Sequence, residues 1–173
     1  MKRYWPVLYS YSKKVPIGTE HGAFKREDYF IDRRYRKIDI FHSGIDIFCP
    51  LGSKVIAAED CKIVRAWKFT GPPDAPEYRN TWAITVKNDT GNIIVYGEVK
   101  KPKVKVCQNI KAGSTIGFIA QVEHNGNEPV KTRRCMLHFE LYKKGTRKTV
   151  DWWCRKQKKP KNLLNPTSYL KKC

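Results

Sequence analysis

The stretch His42-Ser43-Gly44-Ile45-Asp46-Ile47-Phe48-Cys49-Pro50-Leu51-Gly52-Ser53-Lys54-Val55-Ile56-Ala57-Ala58 carries a strand pattern and a ligand pattern at once. Short β-branched runs at Ile45–Phe48 and Lys54–Ala57, broken by Pro50 and Gly52, read as two strands and a turn. His42 and Asp46 lie four residues apart, with Gly44 letting the backbone bend between them. On a helix or in an extended strand, i and i+4 share a face; the run Ile45-Asp46-Ile47 favours the strand. Much later, Met136-Leu137-His138-Phe139-Glu140-Leu141 sets another histidine in a strand-like run. Two imidazoles and a carboxylate are the donor set of a hydrolytic zinc site, which keeps its fourth position open. The chain has four histidines in all, so two in such settings carry information.

Working outward, strand signals continue: Cys61–Trp67, Trp82–Lys87, Ile93–Glu98 and Thr115–Ile119, then Met136–Tyr142. Asn88-Asp89-Thr90-Gly91-Asn92 is a hairpin connection between two of them. Three prolines make Thr70–Pro76 a loop, and the polar, glycine-containing segment 123–134 is another, of the kind that rims functional sites. The expected fold is mostly β: a compact antiparallel sheet, sandwich-like or partly open and barrel-like. Residues 1–40, basic and aromatic without helical periodicity, are read as an extension that wraps or docks, and 41–173 as the domain.

At 173 residues the chain is long enough for one substantial core. Its 40% hydrophobic and 12% aromatic content separates it from disordered chains. No window reaches the roughly 18 apolar residues of a membrane-spanning helix. The opening Met1–Leu8 imitates a signal peptide, but Pro6 and the nearby Ser10, Ser12, Lys13 and Lys14 make it the structured start of the chain. Virion-associated or intracellular residence is therefore expected. The net charge of +19 attracts polyanions, whether nucleic acid, anionic cell-wall polymers or a large assembly. Six cysteines without a C-x-x-C pair argue against a zinc knuckle and read as reduced, buried thiols, with disulfides as the alternative for a protein that works outside a cell.

The series from His42 to Ala58 resembles the signature of the lysostaphin-type zinc endopeptidases, which cut peptide cross-links of bacterial cell walls. The likeness continues in order through Ile63-Val64, Val95-Tyr96, Ile110–Gly117, Leu137-His138-Phe139-Glu140 and Leu164–Leu170, covering roughly residues 40–170. It implies a small antiparallel β-domain with Zn2+ held by His42, Asp46 and His138, acting on cell-wall peptide.

The departures from that resemblance bear on catalysis. Active members carry His-x-His before the Phe-Glu, and here the first of these positions is Met136. A second assisting histidine normally follows the hairpin-strand tyrosine by two residues; here Glu98 stands there. Methionine has no proton chemistry, whereas glutamate can act as a general base, a role on the order of 10²–10⁴-fold in rate. The plain alternatives are a packing Met136 and a Glu98 at a solvated strand end. His124, in the loop after Glu123, is a second candidate helper. Asp39 is a candidate hydrogen-bond partner for a ligand, and His21 has no assigned role. The leukocyte cell-derived chemotaxins, which this chain resembles in Phe48-Cys49 and Lys100–Val104, keep such a zinc site without peptidase activity. Two expectations follow: a cell-wall endopeptidase, phage- or lysis-associated, or a catalytically inactive zinc module docking on a polyanion, a virion or a nucleoprotein particle. A plain nucleic-acid-binding protein would explain the charge and leave the ordered motifs unexplained.

Overall fold

A computed structural model describes residues 2–8, 24–31, 34–71, 79–122, 135–149, 152–154 and 158–173. The seven strands expected from sequence all form, with ends within two residues of those read. They are β3 (Ile45–Phe48), β4 (Lys54–Ile56), β5 (Cys61–Lys68), β6 (Trp82–Asn88), β7 (Ile93–Val99), β9 (Thr115–Phe118) and β10 (Met136–Tyr142). To these the structure adds β1 (Phe24–Ile31), β2 (Arg34–His42), β8 (Asn109–Ile110), β11 (Trp152–Cys154), β12 (Leu163–Leu164) and one helical turn, α1 (Thr167–Leu170). The fold is mostly β and its strand pairs are antiparallel, as expected.

The main sheet runs β12-β10-β7-β6-β5-β8, and β3 shares with β12 the edge of β10 that faces away from β7. Asn88–Asn92 closes the β6–β7 hairpin as the turn chemistry dictates: Gly91 takes φ +86°, and the Asn88 side chain accepts from the Asn92 N–H at 2.9 Å. The expected loop at 70–76 falls mostly on residues outside those described, as does the loop at 123–134.

Alternation along the strands sorts side chains onto two faces. Ile63, Ile84, Val86, Ile94, Tyr96, Leu137 and Phe139 point into the principal core, closed from the other side by Val55, Ile116, Ile119, Tyr169 and Leu170. The opposite face buries Ala83, Ile93, Val95, Tyr142 and Leu163 beneath Phe41, Trp67 and Phe69. His138 and Glu140 lie on this second face, in register with Gly97 and Val95 of β7.

The first residues enter the principal core. Trp5 and Val7 are buried there, Val7 bridges Val55 of β4, and Ile56 donates its N–H to the Pro6 carbonyl at 3.0 Å. Arg3 pairs with the buried Glu59 and stacks over Tyr169, 4.5 Å from its ring centre. Further along, β1 and β2 form a hairpin whose second strand also pairs with β11 and ends on His42.

Candidate metal centre

His42 and Asp46 do not share one continuous strand, contrary to the sequence expectation. His42 closes β2, the chain bends at Ser43-Gly44, and Asp46 belongs to β3. Gly44 lets β10 and the His138 ring come close to the bend, because a Cβ there would sit 2.6 Å from the Phe139 carbonyl oxygen and 2.8 Å from His138 Nε2. On the neighbouring strand, His138 is paired in register with Asp46. The bend and the register together bring three buried side chains to one point.

Their donor atoms form a tight triangle. His42 Nε2 and His138 Nδ1 are 3.1 Å apart, His138 Nδ1 and Asp46 Oδ1 2.9 Å, and His42 Nε2 and Asp46 Oδ1 3.2 Å. Ring protons cannot satisfy all three edges. An ionised Asp46 accepts from both histidines only if both nitrogens donate, and then two donors face one another across the third edge. If one ring nitrogen is a lone pair instead, it faces the carboxylate as acceptor against acceptor. A single cation at the centre serves all three atoms. Zinc bonds of about 2.0–2.1 Å at a tetrahedral angle put ligand atoms ~3.3 Å apart, so the donor set fits such an ion in size and in chemistry.

The far side of the His138 ring is also fixed. Nε2 lies 3.0 Å from Glu140 Oε1, which accepts from the Ser43 hydroxyl at 2.7 Å, while Glu140 Oε2 accepts from the Tyr142 hydroxyl at 2.9 Å. Glu140 is fully buried. A buried carboxylate on the outer nitrogen holds the proton there and turns Nδ1 toward the centre. Burial alone would lower the His138 pKa, but the two carboxylates overcome it and raise it well above the ordinary value. For Asp46, burial pushes upward and the two histidines prevail, holding the carboxyl well below its usual range.

Glu98 is not the solvated strand end of the plain alternative, for it is only 4% exposed. Burial pushes its carboxyl up to about 7, against the opposing pull of Thr81, His138 and Thr70. Thr70 donates its hydroxyl to Glu98 Oε2 at 3.1 Å and lies 2.7 Å from the Thr81 hydroxyl. The Glu98 backbone takes φ +61°, a left-handed conformation that costs a non-glycine residue free energy and clusters at functional sites. Beside it, Gly97 leaves room for Phe69, whose ring would lie 2.6 Å from any Cβ at that position. Phe69 in turn packs on His138, with ring centres 5.3 Å apart.

Met136 is half-buried at the start of β10, on the same strand face as His138. His124 and His21 lie outside the described residues, and for Asp39 the backbone in β2 is described. Glu140 is the residue that sequence reasoning missed. Its signal was present: in a strand, the His138-x-Glu140 spacing puts the carboxylate on the ligand's own face. The thiols follow the expected pattern in part, since Cys49, Cys61 and Cys135 are buried but Cys107 is exposed.

The model of peptidase family M23 matches residues 40–151. Among solved structures, the chain is similar to lysostaphin in solution, at 21% identity and a TM-score of 0.52, covering 89% of this chain and 55% of that one. It is similar also to the catalytic domain of lysostaphin from Staphylococcus simulans, at 22% identity and TM-score 0.51, over 88% and 99% of the two chains. LytU resembles it at 18% identity and TM-score 0.51, over 84% and 82%. The chain thus spans about half the length of the full lysostaphin it matches. Likeness at these identities shows the fold. No curated protein matches the chain.

Proposed function

The chain belongs to peptidase family M23, and from that premise we propose that it is a zinc-dependent endopeptidase acting on peptide cross-links of cell walls. The observation that carries this reading is the buried triangle of His42, Asp46 and His138, whose three edges ring protons cannot satisfy. Zinc bound there supplies a Lewis acid and lowers the pKa of a coordinated water towards neutrality.

The protein's own groups divide the remaining work. Glu140, Ser43 and Tyr142 fix the His138 ring, so that its Nδ1 lone pair meets the ion without a search over rotamers. Glu98 is the general base: its buried carboxylate, bonded by Thr70, accepts a proton and returns it to a leaving amine. Thr70 and Thr81 hold that carboxyl in place. Phe69, packed on His138, gives the ligand an apolar neighbour of the kind that limits water access to a metal site.

Surface charge supports an anionic substrate or docking partner. Among the described side chains Asp89 is the only exposed acidic residue, whereas Lys54, Lys62, Lys87, Lys100, Lys101 and Lys103 are all exposed. Asp46, Glu59, Glu98 and Glu140 are buried, so the exposed charge among the described residues is mostly cationic. Among the described residues no helix is long and apolar enough to cross a membrane.

Met136 favours a second reading, in which the centre holds zinc but the domain binds and does not cut. Its thioether neither takes nor gives a proton where the resemblance expects an assisting histidine. Zinc-loaded protein incubated with purified cell wall or glycine-rich peptides, beside Asp46→Ala, separates the two. Release of new amine termini by wild type alone supports the peptidase; no cleavage at stoichiometric zinc leaves the binding module. Folded protein without zinc by elemental analysis would remove the ligand assignment. Unchanged turnover in Glu98→Gln would remove the base.

A further inference from the structure

A line of rings in edge-to-face and tilted contact leads away from the metal centre along the sheet face that bears it. His42 and His138 lie 4.8 Å apart between ring centres, His138 and Phe69 5.3 Å, and Phe69 and Trp67 5.5 Å. The line ends on Arg65, whose guanidinium carbon sits 4.4 Å over the Trp67 ring. Trp67 and Arg65 are both half-exposed. Trp67 is anchored by its indole N–H, which donates to the Thr85 hydroxyl at 3.1 Å.

Arg65 sets its guanidinium over the Trp67 ring and gives one N–H to the Thr149 hydroxyl, at 2.9 Å. Contact with a ring leaves the other N–H donors of a guanidinium available. Among the described residues no carboxylate pairs with it. A guanidinium held over a tryptophan and bonded to a threonine has already lost much of its rotamer freedom, so a ligand that bridges its remaining donors has less ordering to impose. The ligand that matches those donors is a carboxylate, which accepts two parallel N–H bonds.

Building on the peptidase reading above, we infer that Arg65 and Trp67 form a substrate subsite that recognises a carboxylate on the peptide to one side of the scissile bond. The ring-to-ring steps from His138 bound the separation at about 15 Å. An extended peptide at ~3.3 Å per residue covers that distance in no more than about five residues. Trp67 supplies an apolar floor for the backbone and methylene groups next to the carboxylate.

The test walks one glutamate along a glycine heptapeptide and pairs each member with its glutamine counterpart, using the full zinc-loaded chain. At one position glutamate lowers KM relative to glutamine by on the order of tenfold to a hundredfold, the scale of a charge-assisted bidentate contact, with kcat unchanged. Arg65→Gln abolishes the difference, and Arg65→Lys, which keeps the charge but loses the fork, retains only part of it. Calorimetric binding of the same peptides needs no turnover. Glutamate-selective binding without cleavage would uphold the subsite and remove the peptidase reading. Equal values for the two series at every position, a preference that survives Arg65→Gln, or no binding of any peptide would overturn the subsite.

Discussion

Gly44→Ala places one methyl group where two fixed structures already meet. A Cβ at residue 44 would lie 2.6 Å from the Phe139 carbonyl oxygen, 2.8 Å from His138 Nε2 and 2.9 Å from His138 Cε1. Ordinary heavy-atom contacts are about 3.5–4.0 Å, so the overlap approaches 1 Å. The carbonyl belongs to β10 at its pairing with Ile45. The imidazole is held at both ends, by Asp46 and His42 at Nδ1 and by Glu140 at Nε2. Relief must come from parting β3 and β10 or from turning the ring. Overpacking of this kind costs about 1–3 kcal/mol, which for a domain of this size lowers Tm by about 2–12 °C. The effect on the metal is steeper, because a ligand atom moved by more than about 0.2 Å leaves its bonding distance. Zinc affinity should fall by on the order of 100-fold or more. Competition against a chromophoric chelator reads the affinity, and calorimetric melting with and without chelator reads the stability. A variant with the wild-type zinc Kd and a Tm within about a degree of wild type would refute the reasoning, because the β3–β10 junction would then yield freely.

Other expectations follow from the same geometry. Glu140→Gln removes the charge behind His138 and should weaken zinc binding about 10–100-fold; an unchanged Kd would mean that the ring is oriented by packing alone. In zinc-stripped protein, Glu98 holds a proton up to about pH 7 that the unfolded chain releases near 4.5. Its contribution is full below about pH 4.5 and is lost as pH rises through 7, on the order of 3 kcal/mol in all. Glu98→Gln removes this titration, so urea unfolding between pH 4 and 8 should show the variant gaining on wild type as pH rises, and parallel curves would contradict the placement. Arg3→Ala leaves Glu59 buried with Asn88 as its remaining hydrogen-bond partner, at 2.6 Å. About 3–5 kcal/mol should be lost in denaturant melts, with zinc affinity unchanged at 25 °C.

The domain's strands were legible because each is a short β-branched or aromatic run closed by turn residues, and such a pattern admits little else. The three donors were legible because histidine is scarce in the chain and because all three sit in strand-like surroundings. What escaped was long-range. Nothing in Trp5-Pro6-Val7 distinguishes a core segment from a surface one; the distinction arises when Val7 meets Val55. β1 and β2 hid behind the charges of Lys25–Asp28 and Arg33–Lys37, which blur any period-2 hydrophobic pattern. Glu98 looked like a solvated end because burial at that point comes from Thr70, Thr81 and Phe69, which the chain delivers from elsewhere. Glu140 went unassigned because Ser43, which donates to it, comes from the bend after β2, far away in the chain, and only Tyr142 lies on its own strand.

The insertion of the first residues into the core sets a limit on how this protein can be cut down. The span that matches the family begins at residue 40 and ends at 151. A fragment trimmed to those limits would lose Trp5 and Val7 from one side of the core and Tyr169 and Leu170 from another. β4 would keep β9 on one flank and present bare N–H and C=O groups on the other, where Pro6 and Leu8 now bond. Glu59 would be left as a buried charge without its arginine. Such a fragment should aggregate through that open edge, so the smallest piece that folds is longer at both ends than the piece that carries the motif.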